Sequence, residues 1–249
     1  MTGILNGLRV VEGSAFVAVP LAGMTLAQMG ADVIRFDRLE GGLDAGRWPL
    51  APSGQSLFWA GLNKGKRSIA VDMRHPEGRD LIMVSLLGDR HGRPQVDYTV
   101  NPALGIPDIT GPEGHDTPVA NALPAWDLMA GHMCVSSVLA AERHRLRKGV
   151  GQEVTLSLKV IAAATLGHLG MIGDATLNET QRTKSGNALY GAYGQDFLCA
   201  DGRRVMVIER RRRTVGPSHA HHRHPETMVR STSVDRCCGN VRCCKANLV

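Results

Sequence analysis

Residues 8–37, LRVVEGSAFVAVPLAGMTLAQMGADVIRFD, decide the fold. LRVVEGS supplies a short β-branched run, and DVIRFD is a second apolar run with polar ends, both of strand character. Between them, PLAGMTLAQMGA opens with Pro20, which the first turn of a helix tolerates, and closes at Gly30, which suits a helix C-cap. Strand, helix and strand make a βαβ unit, and such a unit requires a parallel sheet with a right-handed crossover. The turn GSAFVAVP lacks the G-x-G-x-x-G spacing that a dinucleotide pyrophosphate needs, which disfavours a nicotinamide or flavin dehydrogenase.

Outward from this unit come a Gly/Pro-rich loop at 41–54, SLFWAGLN, the basic turn NKGKRS and a strand, SIAVDM. HPEGRD then has the look of a helix start, but LIMVSLLG follows at once with the composition of a buried strand. That interval is too short for a crossover helix, so either HPEGRDL is a tight loop or part of a normal crossover is absent. Residues 90–122 are rich in Gly, Pro and Asp, with DYTVNPALG the one stretch suited to a short helix. A long helix is predicted over 126–147, ending in basic residues and Gly149. QEVTLSL reads as a strand, KVIAAATLGHLGMIGDA as one buried helix, and LYGAYGQDFLCADGRRVMVI as a hairpin turning at Asp201-Gly202. The fold class is therefore α/β, an open Rossmann-like parallel sheet with flanking helices.

Bulk composition narrows the functions. With 249 residues and 43% hydrophobic content, the chain is long enough for a sizeable core. Aromatic residues are only 4%, which does not favour a stacking surface for nucleic-acid bases. The net charge of +6 is local: residues 209–249 hold eight Arg and one Lys against three acids, while residues 1–208 balance 20 basic with 20 acidic side chains. The opening MTGILNGLRVVEG lacks signal-peptide character, and no apolar run approaches the roughly 18 residues of a membrane span. A soluble, cytoplasmic protein is expected, without a membrane or nucleic-acid partner.

From Glu209 the grammar changes to an Arg/His/Cys-rich tail without apolar periodicity. The adjacent pairs Cys237-Cys238 and Cys243-Cys244 do not give the C-x-x-C spacing of a folded zinc site, so no metal is expected. The tail is expected to be disordered or out-of-frame sequence. Of the candidate reactive groups, Asp127 at the head of the long helix reads first as an N-terminal cap, because Asp is a preferred capping residue.

Four blocks change that reading: the segment 5–37, SLFWAGLNKGKRSIAVDMRHPEGRDL, ALPAWDLMAGHMCVSSVLAAERHRLRKGVGQEVTLSLK and SGNALYGAYGQDF. In this order they resemble the family III coenzyme A transferases, a group that also holds the alpha-methylacyl-CoA racemases. The resemblance spans most of residues 4–208 and implies that Asp127 is the catalytic nucleophile. A carboxylate can attack a thioester, and a helix N-terminus keeps it ionised and offers N–H groups to developing oxyanions. The resemblance also implies CoA contacts from Phe16, Val17 and Ala18, although a plain apolar turn explains them equally, and from Arg38, otherwise a solvated surface residue. Lys64 and Lys66, beside Arg67, suit a phosphate-rich ligand or simply a solvated loop. Gly186, Gly191 and Gly194 match a glycine-bearing segment that closes over the thioester, or else punctuate the hairpin.

Val96 stands where, by this resemblance, the racemases place a proton-transferring His before the following Asp, here Asp97. Carboxylate-driven CoA transfer is thereby favoured over α-proton exchange. His132 and His168 read as packed or partly exposed helix residues. The resemblance implies a large CoA-binding domain over 1–185, shortened near 79–81, and the start of a small domain over 186–208. It further implies a homodimer that uses no cofactor beyond the coenzyme A of its acyl-CoA substrate. The expected reaction is movement of CoA between the two carboxyls of one branched, unsaturated diacid. A transferase using a separate carboxylic acid acceptor and an inactive, shortened family member remain open as alternatives.

Overall fold

A computed structural model describes residues 3–70, 84–179, 181–189 and 194–208. The junction at 79–81, the end of SIAVDM, Gly191 and the 209–249 tail lie outside the described residues. Those within Met1–Thr110 and Thr117–Arg182 form one compact unit, and those within Gly111–Asp116 and Thr183–Val249 form another.

The first unit begins as the sequence predicts. Strand β1 (Arg9–Glu12), helix α1 (Ala18–Gln28) and strand β2 (Asp32–Asp37) form the βαβ unit, with Gly30 at φ 103° releasing the chain from the helix. Helix α2 (Leu57–Leu62) precedes β3 (Arg67–Ala70), and β1, β2 and β3 run parallel in that order. Strand β4 (Val84–Leu87) pairs instead with β5 (Val154–Ser157), also in parallel. The parallel sheet is thus in two pieces, and β1 and β4 are each terminal strands among the described residues.

Between β4 and β5 lie α3 (Asp97–Ala103), α4 (Ile106–Ile109) and the long α5 (Ala125–Lys148). Helix α5 has 24 residues and stops where Gly149 turns left-handed at φ 70°, with Arg145, Arg147 and Lys148 in its last turn. The segment expected to be one buried helix is two, α6 (Leu158–His168) and α7 (Met171–Leu177), bent by 68°. Gly170, at φ 74°, makes the break; Leu169 before it and Leu177 at the far end of α7 are exposed. Among the described residues no single helix is long and apolar enough to cross a membrane.

Helices α1 and α5 form one layer over the sheet pieces. Ala22 and Leu26 from α1, Val33 from β2, and Cys134 and Val135 from α5 form one buried cluster, against which Val10 and Leu156 pack. A second joins Ala18, Val100, Trp126, Ala130 and Leu158. Gly131 sets how closely the two helices approach, because a Cβ there would stand 2.7 Å from the Ala18 carbonyl oxygen.

A buried polar cluster fastens the sheet to the loops. Arg35, 1% exposed, donates to Asp37, Asp44 and Asn63, while the Lys66 ammonium donates to Glu12, Pro20 O and Asn63. Each buried charge here has an opposite charge or an acceptor within hydrogen-bonding distance, as burial demands.

The second unit contains β6 (Gly194–Leu198) paired antiparallel with β7 (Arg204–Ile208), turning through Gly202 at φ 79°. This is the hairpin the sequence predicts at Asp201-Gly202.

Candidate active site

A cavity of about 1200 Å³ runs along β1 and β4, walled by α1 and by α5 as far as Arg145, and it also takes in the turn Gly13–Ala18 that follows β1, Arg47, Phe58, Asp97 and Asp127. Of this lining, the turn Gly13–Ala18 lies at the carboxyl end of β1, the place where open parallel sheets bind their ligands. The turn after β1 is held in an unusual conformation. Phe16 has φ 70°, costly for a residue with a side chain. Its N–H donates to the buried Asp44 carboxylate at 2.9 Å, so the surroundings hold the strain in place. Val17 and Ala18 are buried beside it, and all three line the cavity.

Capping and cavity-facing chemistry divide between two aspartates. Helix α5 has no side-chain cap from its own N-cap residue, Pro124. Asp97, 3% exposed on α3, takes that role across space: one carboxylate oxygen accepts the N–H groups of Trp126 at 2.8 Å and Asp127 at 3.3 Å. The half-buried Asp127 carboxylate is left to the cavity.

Burial, and then the neighbouring Asp97 charge, push the Asp127 carboxyl up to about 6, with Arg47 drawing it partly back. The sequence expectation was that the helix terminus alone would keep Asp127 ionised, but desolvation outweighs it. At pH 7 roughly nine-tenths of such a group is still a carboxylate, and a poorly solvated one. Cys134 also lines the cavity, but burial pushes its thiol up to about 11, leaving little thiolate to act as a nucleophile.

The basic residues singled out in the sequence sit elsewhere. Arg38 and Lys64 are exposed and outside the lining of this cavity. The Lys66 side chain is 2% exposed and ion-paired to Glu12 at 2.7 Å, and burial lowers its basicity. It ties α1 to the sheet rather than meeting solvent. His132 and His168 are exposed and line a separate groove.

Gly186 and Gly194 belong to the second unit. Gly186 adopts φ 58° and its N–H donates to Gly111 O, while a Cβ on Gly194 would strike Leu189. Both glycines therefore have local reasons to be glycine, and their expected role over the thioester rests on family resemblance.

Sequence reading missed Arg47 and the capping role of Asp97. Both act across the fold, Arg47 from a loop without periodicity. No group of three or more His, Cys, Asp or Glu among the described residues is arranged to hold a metal ion.

The pattern described as CoA-transferase family III matches residues 5–87 and 83–215, and the chain belongs to that family. It is 52% identical over 246 residues to the 2-methylfumaryl-CoA isomerase of Chloroflexus aurantiacus, covering 84% of this chain and 60% of that protein. It is 31% identical to the succinate–glutarate CoA-transferase of Agrobacterium fabrum, covering 67% of this chain and 54% of that protein. The chain thus spans little more than half the length of these relatives. Among solved structures, a CAIB/BAIF family protein from Brucella suis superposes with TM-score 0.69 at 25% identity, covering 81% of this chain and 65% of that one.

Proposed function

We propose that this chain carries the CoA-transfer site of an isomerase that moves coenzyme A between the two carboxyls of 2-methylfumaryl-CoA. The observation that carries the reading is Asp127, a half-buried carboxylate pushed up to about 6, which lines the cavity and lies within the stretch that the family pattern matches. The 52% identity to the Chloroflexus isomerase supports the choice of substrate. The Asp127 carboxylate attacks the thioester carbonyl and expels CoA thiolate, leaving a mixed anhydride. The thiolate then attacks the Asp127 acyl carbon, releasing the diacid and forming an aspartyl-CoA thioester. The other carboxylate of the same diacid attacks that thioester, and the thiolate completes the exchange, restoring Asp127. No electron or net proton is transferred. Retention of the diacid in the cavity gives the second attack a high effective concentration.

Phe16, Val17 and Ala18 line the path proposed for the CoA arm. The same reading takes the working enzyme to be a cytoplasmic homodimer with no cofactor other than the CoA of its substrate, as the family resemblance implies. The test is incubation of the full chain with 2-methylfumaryl-CoA, without added acid, beside Asp127→Asn. An isomeric CoA ester is expected from the unmutated protein, with at least about a 10⁴-fold loss in the variant. Turnover that appears only when a second carboxylic acid is added would replace this reading with bimolecular transfer.

A further inference from the structure

Arg47 is the charged side chain at this cavity whose placement is not yet explained. Its backbone is fixed at both ends: its N–H donates to Asp44 O at 3.1 Å, and its carbonyl accepts the Ser56 hydroxyl. Ser56 in turn caps α2 by accepting the Trp59 N–H, and Asp44 bonds the Phe16 N–H and Arg35. The guanidinium lies between two rings, 5.2 Å from the centroid of Phe16 and 4.9 Å from that of Phe58. This stacking restricts the side chain before any ligand arrives.

Among the described residues no carboxylate lies within ion-pairing distance of this charge, although its field reaches Asp127. Among the described residues Arg9, Arg35, Arg67, Arg93, Arg145, Arg182, Arg203 and Arg204 each have a carboxylate partner. Arg38, Arg90, Arg143 and Arg147 are exposed to water. Arg47 alone in that set is half-buried without an ion pair, and it lines the same cavity as Asp127. A partly desolvated guanidinium with its planar fork of donors unused is complementary to one planar anion, a carboxylate.

We propose that Arg47 holds the free carboxylate of the substrate and selects dicarboxylyl thioesters over monocarboxylyl ones. This rests on the reading of the cavity as a CoA-transfer site. A diacid monothioester has one carboxylate free throughout, and after transfer to Asp127 the departing diacid has two. An arginine that grips one of them keeps the molecule from leaving before the other attacks. Lysine would present a point charge without the fork.

The experiment measures dissociation constants of coenzyme A, crotonyl-CoA, which has no free acyl carboxylate, and 2-methylfumaryl-CoA on the full chain, on Arg47→Gln and on Arg47→Lys. The unmutated protein is expected to prefer 2-methylfumaryl-CoA over crotonyl-CoA by about tenfold or more. Arg47→Gln should abolish that preference while leaving CoA and crotonyl-CoA binding nearly unchanged, and Arg47→Lys should restore part of it. Retained binding of CoA shows that the variant is folded. A preference that survives in Arg47→Gln overturns the proposal, as does a preference absent from the unmutated protein. Equal weakening of all three ligands also overturns it, assigning Arg47 to the phosphates of CoA or to the fold. An Arg47-dependent preference in a protein that forms no isomer leaves this assignment standing and sinks only the isomerase reading.

Discussion

Asp127 is subject to opposed influences: burial and Asp97 favour its neutral form, while Arg47 favours its charge. Because the proposed reaction needs the carboxylate, activity should rise through a midpoint near pH 6 and level off above it. Stability follows the opposite course. A folded-state pKa raised above its unfolded value stabilises the native state at low pH, and that contribution is lost as pH rises through about 6. Asp127→Asn should therefore melt higher than the unmutated protein at pH 8, with the difference vanishing below about pH 4. Asp97→Asn removes one cause of the raised pKa but keeps an acceptor for the α5 N–H groups. Its acid limb should move below that of the unmutated protein, measured as initial rate against pH, whereas Asp97→Ala should lose about 1 kcal/mol of stability as well. Asp127 was proposed as the nucleophile only because long blocks around it resembled a family; alone it read as a cap, a role the structure gives to Asp97. That Asp97 is the cap was not legible, because the bond joins residues 29 positions apart.

Helices α1 and α5 bring the Phe16–Ala18 turn and Asp127 to one cavity, and at Gly131 a side chain on α5 would press on Ala18 O and Leu21 of α1. A methyl group there would meet backbone first, rather than a yielding side chain. Gly131→Ala should cost about 1–3 kcal/mol in denaturant unfolding. It should also lower kcat more than it raises KM, since Asp127, the proposed nucleophile, and the turn would part slightly. The sequence reveals α1 and α5 clearly because proline, glycine and basic residues mark their ends. It concealed the α6–α7 break: apolar residues continue through Leu169 and Met171, and only the backbone of Gly170 departs from the helix. Glycine within an apolar run does not announce which conformation it will take.

At the scale of the molecule, the class of fold was legible from one βαβ unit, and the hairpin from one Asp-Gly pair. The division of the parallel sheet into β1-β2-β3 and β4-β5 was foreshadowed only by the missing crossover length before LIMVSLLG. Strand pairing is decided by contacts between distant segments, which periodicity does not encode. The buried set of Glu12, Arg35, Asp44 and Lys66 was likewise unreadable, since each appears in sequence as an ordinary surface charge.

The two sheet pieces also bear on how the chain behaves among its own copies. Terminal strands β1 and β4 offer rows of backbone donors and acceptors without a strand partner among the described residues. To another half-folded copy they are templates, and side-by-side growth competes with folding. Recovery of native protein after dilution from denaturant should accordingly fall as protein concentration rises, with light scattering growing in step. A yield independent of concentration would mean that both ladders are closed before molecules meet.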